Sequence, residues 1–383
     1  MRLALTPKGS GPVRGRVSVA TIAALVAVAV VVQSAAAKPP GSFVGRFHKI
    51  KTVASTVPSN GDVNPYGVAV APVTKGHLVK GDVLISNFNN KKNLQGTGKT
   101  IVEISPAGKV SLFASLHANK LPGACPGGLG LTTALVALKS GWVVVGSLPT
   151  KDGSSATAKA GCLIVLNSSG KPVKTIAGKP INGPWDMTAL DQGGSADLFV
   201  TNVLNGTVAA SPKIVNRGTV VRIDLRSLNG HSPKIHSKTV IGKGFPERTD
   251  PAAMVVGPTG LGLSGETLYV ADSAANRIAS IAHAVTTGTA SHAGKTASTG
   301  GMLNTPLGLT IAPGGNVLTV NGADGKLVET SPAGKQVAVK VLDNTKVSGE
   351  PNGNGTLFGL AVVPGGTGVY FVDDGSNTLD LLH

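Results

Sequence analysis

The sequence predicts an all-β fold: a six-bladed β-propeller closed by an N-terminal strand and preceded by a signal peptide. Three observations carry this reading. A Pro-x-Gly unit followed by three short strands recurs six times, the chain stops one strand short of completing the sixth unit, and its first 37 residues have the charge and apolar pattern of an export segment. The composition agrees, since 52 glycines and 24 prolines with only 14% charged residues suit many turns, and 41% hydrophobic residues suffice for a core.

In the leading segment Arg2, Lys8, Arg14 and Arg16 precede an uncharged run from Val17 to Val32, followed by Ser34-Ala35-Ala36-Ala37. That order of basic, apolar and small residues places cleavage after Ala37, with an uncleaved anchor as the alternative. The expected organisation is a signal peptide over 1–37, a linker over 38–43 and a propeller over 44–383. No later run is long and apolar enough to span a membrane. The mature chain is therefore expected in the secreted, periplasmic or cell-envelope compartment, as a monomer.

The export segment holds four of the 35 basic residues and none of the 19 acidic ones, which leaves the mature chain at +12. Such a surface favours an anionic cell-envelope polymer, through an attraction that salt weakens; a lysine-rich surface with no dedicated partner is the plainer reading. Nucleic acid is excluded as an expected partner, because export removes it and aromatic residues are 3% of the chain, too few for stacking platforms. Cys125 and Cys162 are the two cysteines, and in an oxidising compartment the pair invites a disulfide.

The six units start at Pro65-Tyr66-Gly67, Pro126-Gly127-Gly128, Pro184-Trp185-Asp186, Pro258-Thr259-Gly260, Pro306-Leu307-Gly308 and Leu357-Phe358-Gly359. Their third positions lie 61, 58, 74, 48 and 51 residues apart, a spacing that fits one four-stranded blade each, with insertions in the longer ones. Alternating strands follow each start, such as Val68-Ala69-Val70 and Leu261-Gly262-Leu263. Second strands follow, such as Val83-Leu84-Ile85 and Leu268-Tyr269-Val270, then third strands such as Ile101 to Ile104 and Leu379-Asp380-Leu381. An identical Ser-Pro-Ala-Gly-Lys follows the first and fifth third strands, at Ser105 to Lys109 and Ser331 to Lys335, as duplicated units would show. The chain ends at His383, after the last third strand, so the sixth blade needs an outer strand from elsewhere. The alternating segment Phe47 to Val53 is the expected donor.

The run Leu268-Tyr269-Val270-Ala271-Asp272-Ser273-Ala274-Ala275-Asn276-Arg277-Ile278, preceded by Pro258-Thr259-Gly260-Leu261-Gly262-Leu263, resembles the central signature of an NHL repeat. The resemblance implies a propeller related to the senescence-marker/gluconolactonase superfamily. It implies little about activity, because such propellers host binding modules and enzymes alike.

The candidate site residues follow from the repeat. Asn87, Ser147, Asn202, Asp272, Asn321 and Asp373 close the second strands, where short polar side chains bind turn backbone; a ring of ligands is the alternative. The middle residues of the unit starts are expected at the channel mouth, and Tyr66, Gly127, Trp185, Thr259, Leu307 and Phe358 include no carboxylate. In gluconolactonase-like relatives, acidic and amide residues near these starts hold a divalent cation, usually calcium, that polarises an ester carbonyl. Here Asp186 and Asp250, with Asn64 and Asn304, offer a sparse set, and the glutamate such relatives place ahead of Gly-Pro-x-Trp is Asn182. His231 and His236 lack acidic or cysteine partners nearby for zinc, and no Gly-x-Ser-x-Gly elbow occurs.

The reading is a non-enzymatic binding module with no cofactor, whose channel mouth takes a small molecule through Tyr66, Trp185, Asp186, Asp250 and Phe358. The aromatic three have a second possible role as a plug of the channel. The alternative function is a calcium-dependent lactonase or ester hydrolase using Asp186 and Asp250.

Overall fold

The computed structural model describes residues 41–230 and 232–383; the expected export segment lies outside them. Among the described residues there are six sheets, one for each unit, antiparallel apart from a short parallel pairing of Ser291–His292 with the last long strand of the third. Their innermost strands are Val63–Val70, Leu131–Ala137, Pro184–Asp191, Pro258–Ser264, Pro306–Ile311 and Leu357–Val362, and each of them packs on its neighbours in sequence, with the sixth returning to the first. Apolar clusters fill the spaces between successive blades. One is built on Phe199, Phe245 and Leu268 between blades three and four, another on Leu198, Val221 and Trp142 between blades two and three. Among the described residues no helix is long and apolar enough to cross a membrane.

The unit start has a specific geometry. Each proline, or Leu357 in blade six, pairs with the polar residue that closes the second strand: Pro65 with Asn87, Pro184 with Asn202, Pro258 with Asp272, Pro306 with Asn321, Leu357 with Asp373. The register then slips by a bulge before regular pairing resumes. Glycine at the third position lets the backbone of one blade lie against the next. A Cβ on Gly260 would collide with the Leu307 carbonyl, one on Gly308 with the Phe358 carbonyl, and one on Gly359 with the Tyr66 carbonyl.

Blade two corrects the expected start at Pro126-Gly127-Gly128. Its inner strand begins at Leu131, which pairs with Ser147 as the other starts pair with their closing residues. Thr132, not Gly127, therefore occupies the middle position. Its carbonyl accepts from the Ser86 hydroxyl at 2.7 Å, as the Thr259 carbonyl accepts from Thr201 at 3.0 Å. Residues 117–130 are an insertion that mimics the motif; Gly127 donates its N–H to the Ala160 carbonyl and packs on Lys159 and Pro149. The disulfide Cys125–Cys162, with Cα atoms 5.3 Å apart, ties this insertion to the third strand of its blade.

The ring closes with an N-terminal strand. Ile50–Ser55 pairs antiparallel with Thr378–Leu382 and supplies the outer strand of blade six. Regular pairing starts three residues later than expected: Phe47 packs as core, while His48 and Lys49 are exposed and donate their N–H groups to the His383 carbonyl. Val44–Arg46 forms a 3-10 turn, Phe43 and Phe47 meet edge to face at 5.2 Å, and all three of Phe43, Val44 and Phe47 are buried. The buried Glu329 carboxylate holds that turn, accepting the Phe43 and Val44 N–H groups at 2.7 and 2.9 Å and the Ser42 hydroxyl at 2.8 Å. Ser42 and Phe43, expected in the linker, thus belong to the packed body.

Blade three departs most from the repeat. Its outer strands are long, Val215–Arg226 and Lys234–Asp250, and the second turns into Met254–Val256. The resulting hairpin tip reaches blade one, where Gln95 Nε2 donates to the Ala252 carbonyl at 2.9 Å. A flap therefore lies over the face on which the inner strands begin.

Candidate functional site at the channel mouth

The inner strands begin around a cavity of about 460 Å³. Its floor is aromatic. Tyr66 stacks on Phe358 with centroids 4.0 Å apart and on Phe88 at 4.7 Å, while Trp185 meets Tyr66 edge-on at 5.9 Å. Tyr66 and Trp185 are each 2% exposed and Phe358 8%. Beneath Trp185, Leu307 and Phe358 only a slot of about 10 Å³ remains, room for roughly one water. These three candidates thus form both the plug of the channel and the base of the mouth.

The walls are polar. Asn64 adopts φ 61°, a left-handed conformation that asparagine tolerates, with its N–H donated to Asn377 Oδ1 at 2.8 Å. Its own Oδ1 is buried and accepts no hydrogen bond from the protein. Asp374 follows the second strand of blade six, and burial together with the adjacent Asp373 carboxylate pushes its pKa up to about 7. Burial, with the Asp374 carboxylate second, likewise holds the Tyr66 phenol well above its ordinary value, so it stays protonated. On the flap, burial acts to raise the Asp250 pKa, but the Ala253 and Ala252 N–H groups and Arg248 outweigh it and hold the carboxylate below its ordinary value. The Arg248 guanidinium contacts it at 2.6 Å.

Asp186 was expected at this mouth and is not there. It lines the slot and the lower channel, on the far side of the plug, whereas Asp250 lines the mouth. No one cavity is lined by both carboxylates. Asp250 is already bonded to Arg248 and two N–H groups, and Asn304 does not line the mouth, where Thr305 does. Among the described residues no group of three or more His, Cys, Asp and Glu side chains is placed to hold a metal ion. Of the oxygen donors suggested for calcium, Asn64 and Asp250 share the mouth while Asp186 and Asn304 lie outside it, and two such residues fall short of the six or more oxygens that the cation takes.

The residues closing the second strands serve local structure. Asn87 Nδ2 donates to the Thr56 carbonyl at 3.0 Å, Ser147 Oγ to the Gly128 carbonyl at 3.1 Å, and Asn321 Nδ2 to the Met302 carbonyl at 2.7 Å. Asp272 pairs with Arg277 at 2.9 Å, Asn202 Oδ1 accepts the Asn182 N–H, and Asp373 Oδ1 accepts the Ser376 N–H. Asp374 is the wall residue that the repeat pattern passes over. Its signal is the doublet Asp373-Asp374, in which the first carboxylate makes the turn and the second is left for the cavity.

No protein-family model matches the sequence, and no curated protein does. Solved structures match in fold across most of the chain. A gluconolactonase from Xanthomonas campestris is 15% identical, over 87% of this chain and 88% of its own, with a TM-score of 0.51. A luciferin-regenerating enzyme is 14% identical over 87% of this chain and 94% of its own, at 0.52. Regucalcin from Agrobacterium tumefaciens, a calcium-binding protein, is 10% identical over 86% of this chain and 92% of its own, at 0.51. Identity this low speaks for architecture alone: the protein is a six-bladed β-propeller of the kind that gluconolactonase- and regucalcin-like proteins share.

Proposed function

We propose that the protein is an exported propeller that binds a small oxygen-rich molecule, sugar- or lactone-like, in the mouth cavity. The observation that carries this reading is the cavity of about 460 Å³ whose lining brings together the Asp374 carboxyl, its pKa pushed up to about 7, the Asn64 amide group and the Arg248–Asp250 pair. A carboxyl that titrates near neutrality serves as donor or acceptor, and the other polar side chains offer further partners to a ligand rich in hydroxyl and carbonyl oxygens. The +12 charge of the mature chain additionally suits retention on an anionic envelope polymer.

A second reading, hydrolysis of a lactone or ester, is favoured by Asp374 and by the fold shared with a gluconolactonase. A carboxylate poised near pH 7 is matched to general-base work on a water. Such a reaction would depend on the ionised Asp374, so its rate would climb as pH rises through about 7.

Both readings are tested with D-glucose and glucono-1,5-lactone. Binding at the mouth predicts that both raise the melting temperature and that Asn64→Leu abolishes the shift. Hydrolysis adds lactone turnover that Asp374→Asn removes. Absence of both a shift and turnover at millimolar ligand would discard the site, and stabilisation by millimolar calcium would reinstate a metal.

A further inference from the structure

Below the plug the channel widens again into a cavity of about 250 Å³, open on the face where the inner strands end. Short aliphatic side chains, among them Val68, Val70, Leu135, Leu309 and Leu360, line it, and the surface they leave open is mostly polar. One carboxylate, Asp186, sits deep in that wall, and the surface it retains faces the channel. Asp186 occupies the third position of its unit, where blades four, five and six carry glycine against the backbone of the next blade. In blade three the Thr201 hydroxyl bridges that junction, as the Ser86 hydroxyl does in blade one, where the third residue is Gly67. The Thr201 hydroxyl accepts the Asp186 N–H at 3.0 Å and donates to the Thr259 carbonyl at 3.0 Å.

A buried carboxyl without a counter-charge is costly, and the repeat shows that glycine serves at this place. We propose that the lower channel is a binding site for a small primary amine, its ammonium group paired with Asp186 and its short chain beside the Val68, Leu135 and Leu309 side chains.

The electrostatics select the ligand. No Lys, Arg or His lines this cavity, and its other acidic residue, Asp191, accepts the Lys139 and Gly193 N–H groups at 2.5 and 2.8 Å. Asp186 accepts the Met187 N–H at 2.7 Å, and the Leu261 N–H also bonds to it, so its charged form is partly prepared. Burial nevertheless holds its pKa well above the ordinary carboxylate value. An ammonium ion entering a site of low dielectric restores the charge and releases a proton. An anion would be repelled, and a neutral alcohol of equal length would gain no charge pairing. A bare divalent cation would find one carboxylate where it wants several oxygens. This site stands apart from the mouth and does not rest on the reading given for it.

The test is calorimetric titration of the full mature protein with n-butylamine and, in parallel, n-butanol. Amine binding is expected, with a heat that depends on the ionisation enthalpy of the buffer, and Asp186→Asn should weaken it at least tenfold while leaving butanol unaffected. Ala361→Leu, which narrows the cavity without touching the carboxylate, should weaken both probes and supplies the answer should Asp186→Asn fail to fold. Equal amine affinity in wild type and Asp186→Asn, unchanged amine affinity in Ala361→Leu, or no amine binding to the wild type would overturn the proposal.

Discussion

The two ends of the central channel are built from the same six strands yet differ in chemistry. The mouth is a cup with an aromatic floor and a flap, lined by the Arg248–Asp250 pair, the Asn64 amide and a carboxyl that titrates near 7. The lower channel is lined by no aromatic or basic side chain, and its strands surround a single deep carboxyl, Asp186. Between them lie Tyr66, Trp185 and Phe358, middle residues of three unit starts, packed to leave about 10 Å³. The comparison teaches that one repeat position decides whether a propeller has one site or two. Large aromatic residues there divide the channel, whereas small ones would leave it continuous.

The most damaging way to break this arrangement is to open the ring. Deleting residues 44–55 removes the outer strand of blade six together with the buried Val44 and Phe47, and it bares a sheet edge. The loss is expected to rival the roughly 5–15 kcal/mol that stabilises a typical domain. Thermal unfolding should lose its cooperative transition and the protein should aggregate; an unchanged melting temperature would show that the ring does not depend on this strand.

A smaller and more specific lesion is to remove the plug. Tyr66→Ala with Trp185→Ala should cost on the order of 3–5 kcal/mol for each buried ring in denaturant unfolding. Where the protein survives, it should join the compartments, so that n-butylamine reaches the mouth. Separate ligand occupancies persisting in this variant would show that something other than these rings divides the channel.

The blade pattern was legible in the sequence because its cause is local. A proline or leucine, a bulge, then a glycine pressed on the next blade recur wherever one sheet packs on another, and Pro258-Thr259-Gly260 shows them in full. Blade two escaped for the same reason. Pro126-Gly127-Gly128 copies the local pattern inside an insertion, while the true start at Leu131 has neither proline nor glycine, and only its pairing with Ser147 reveals it. Counting from Leu131 puts blade three 53 residues on, closer to the spacings of blades four and five. The Glu329 clamp on Phe43 and Val44 joins residues nearly 290 positions apart, so no local pattern announces it. Asp186 was placed on the wrong side of the plug. Its place in the unit was clear, but which side of the plug it faces depends on how three rings from blades one, three and six stack together.

The most direct measurement is carboxyl carbon NMR of Asp186 and Asp374 through a pH titration, with and without n-butylamine. A divided channel predicts that Asp374 titrates near 7 in both cases, whereas Asp186, titrating well above an ordinary carboxyl, shifts downward when the amine binds. If the amine moves both midpoints together, or moves Asp374 alone, the rings do not separate two sites and the account fails.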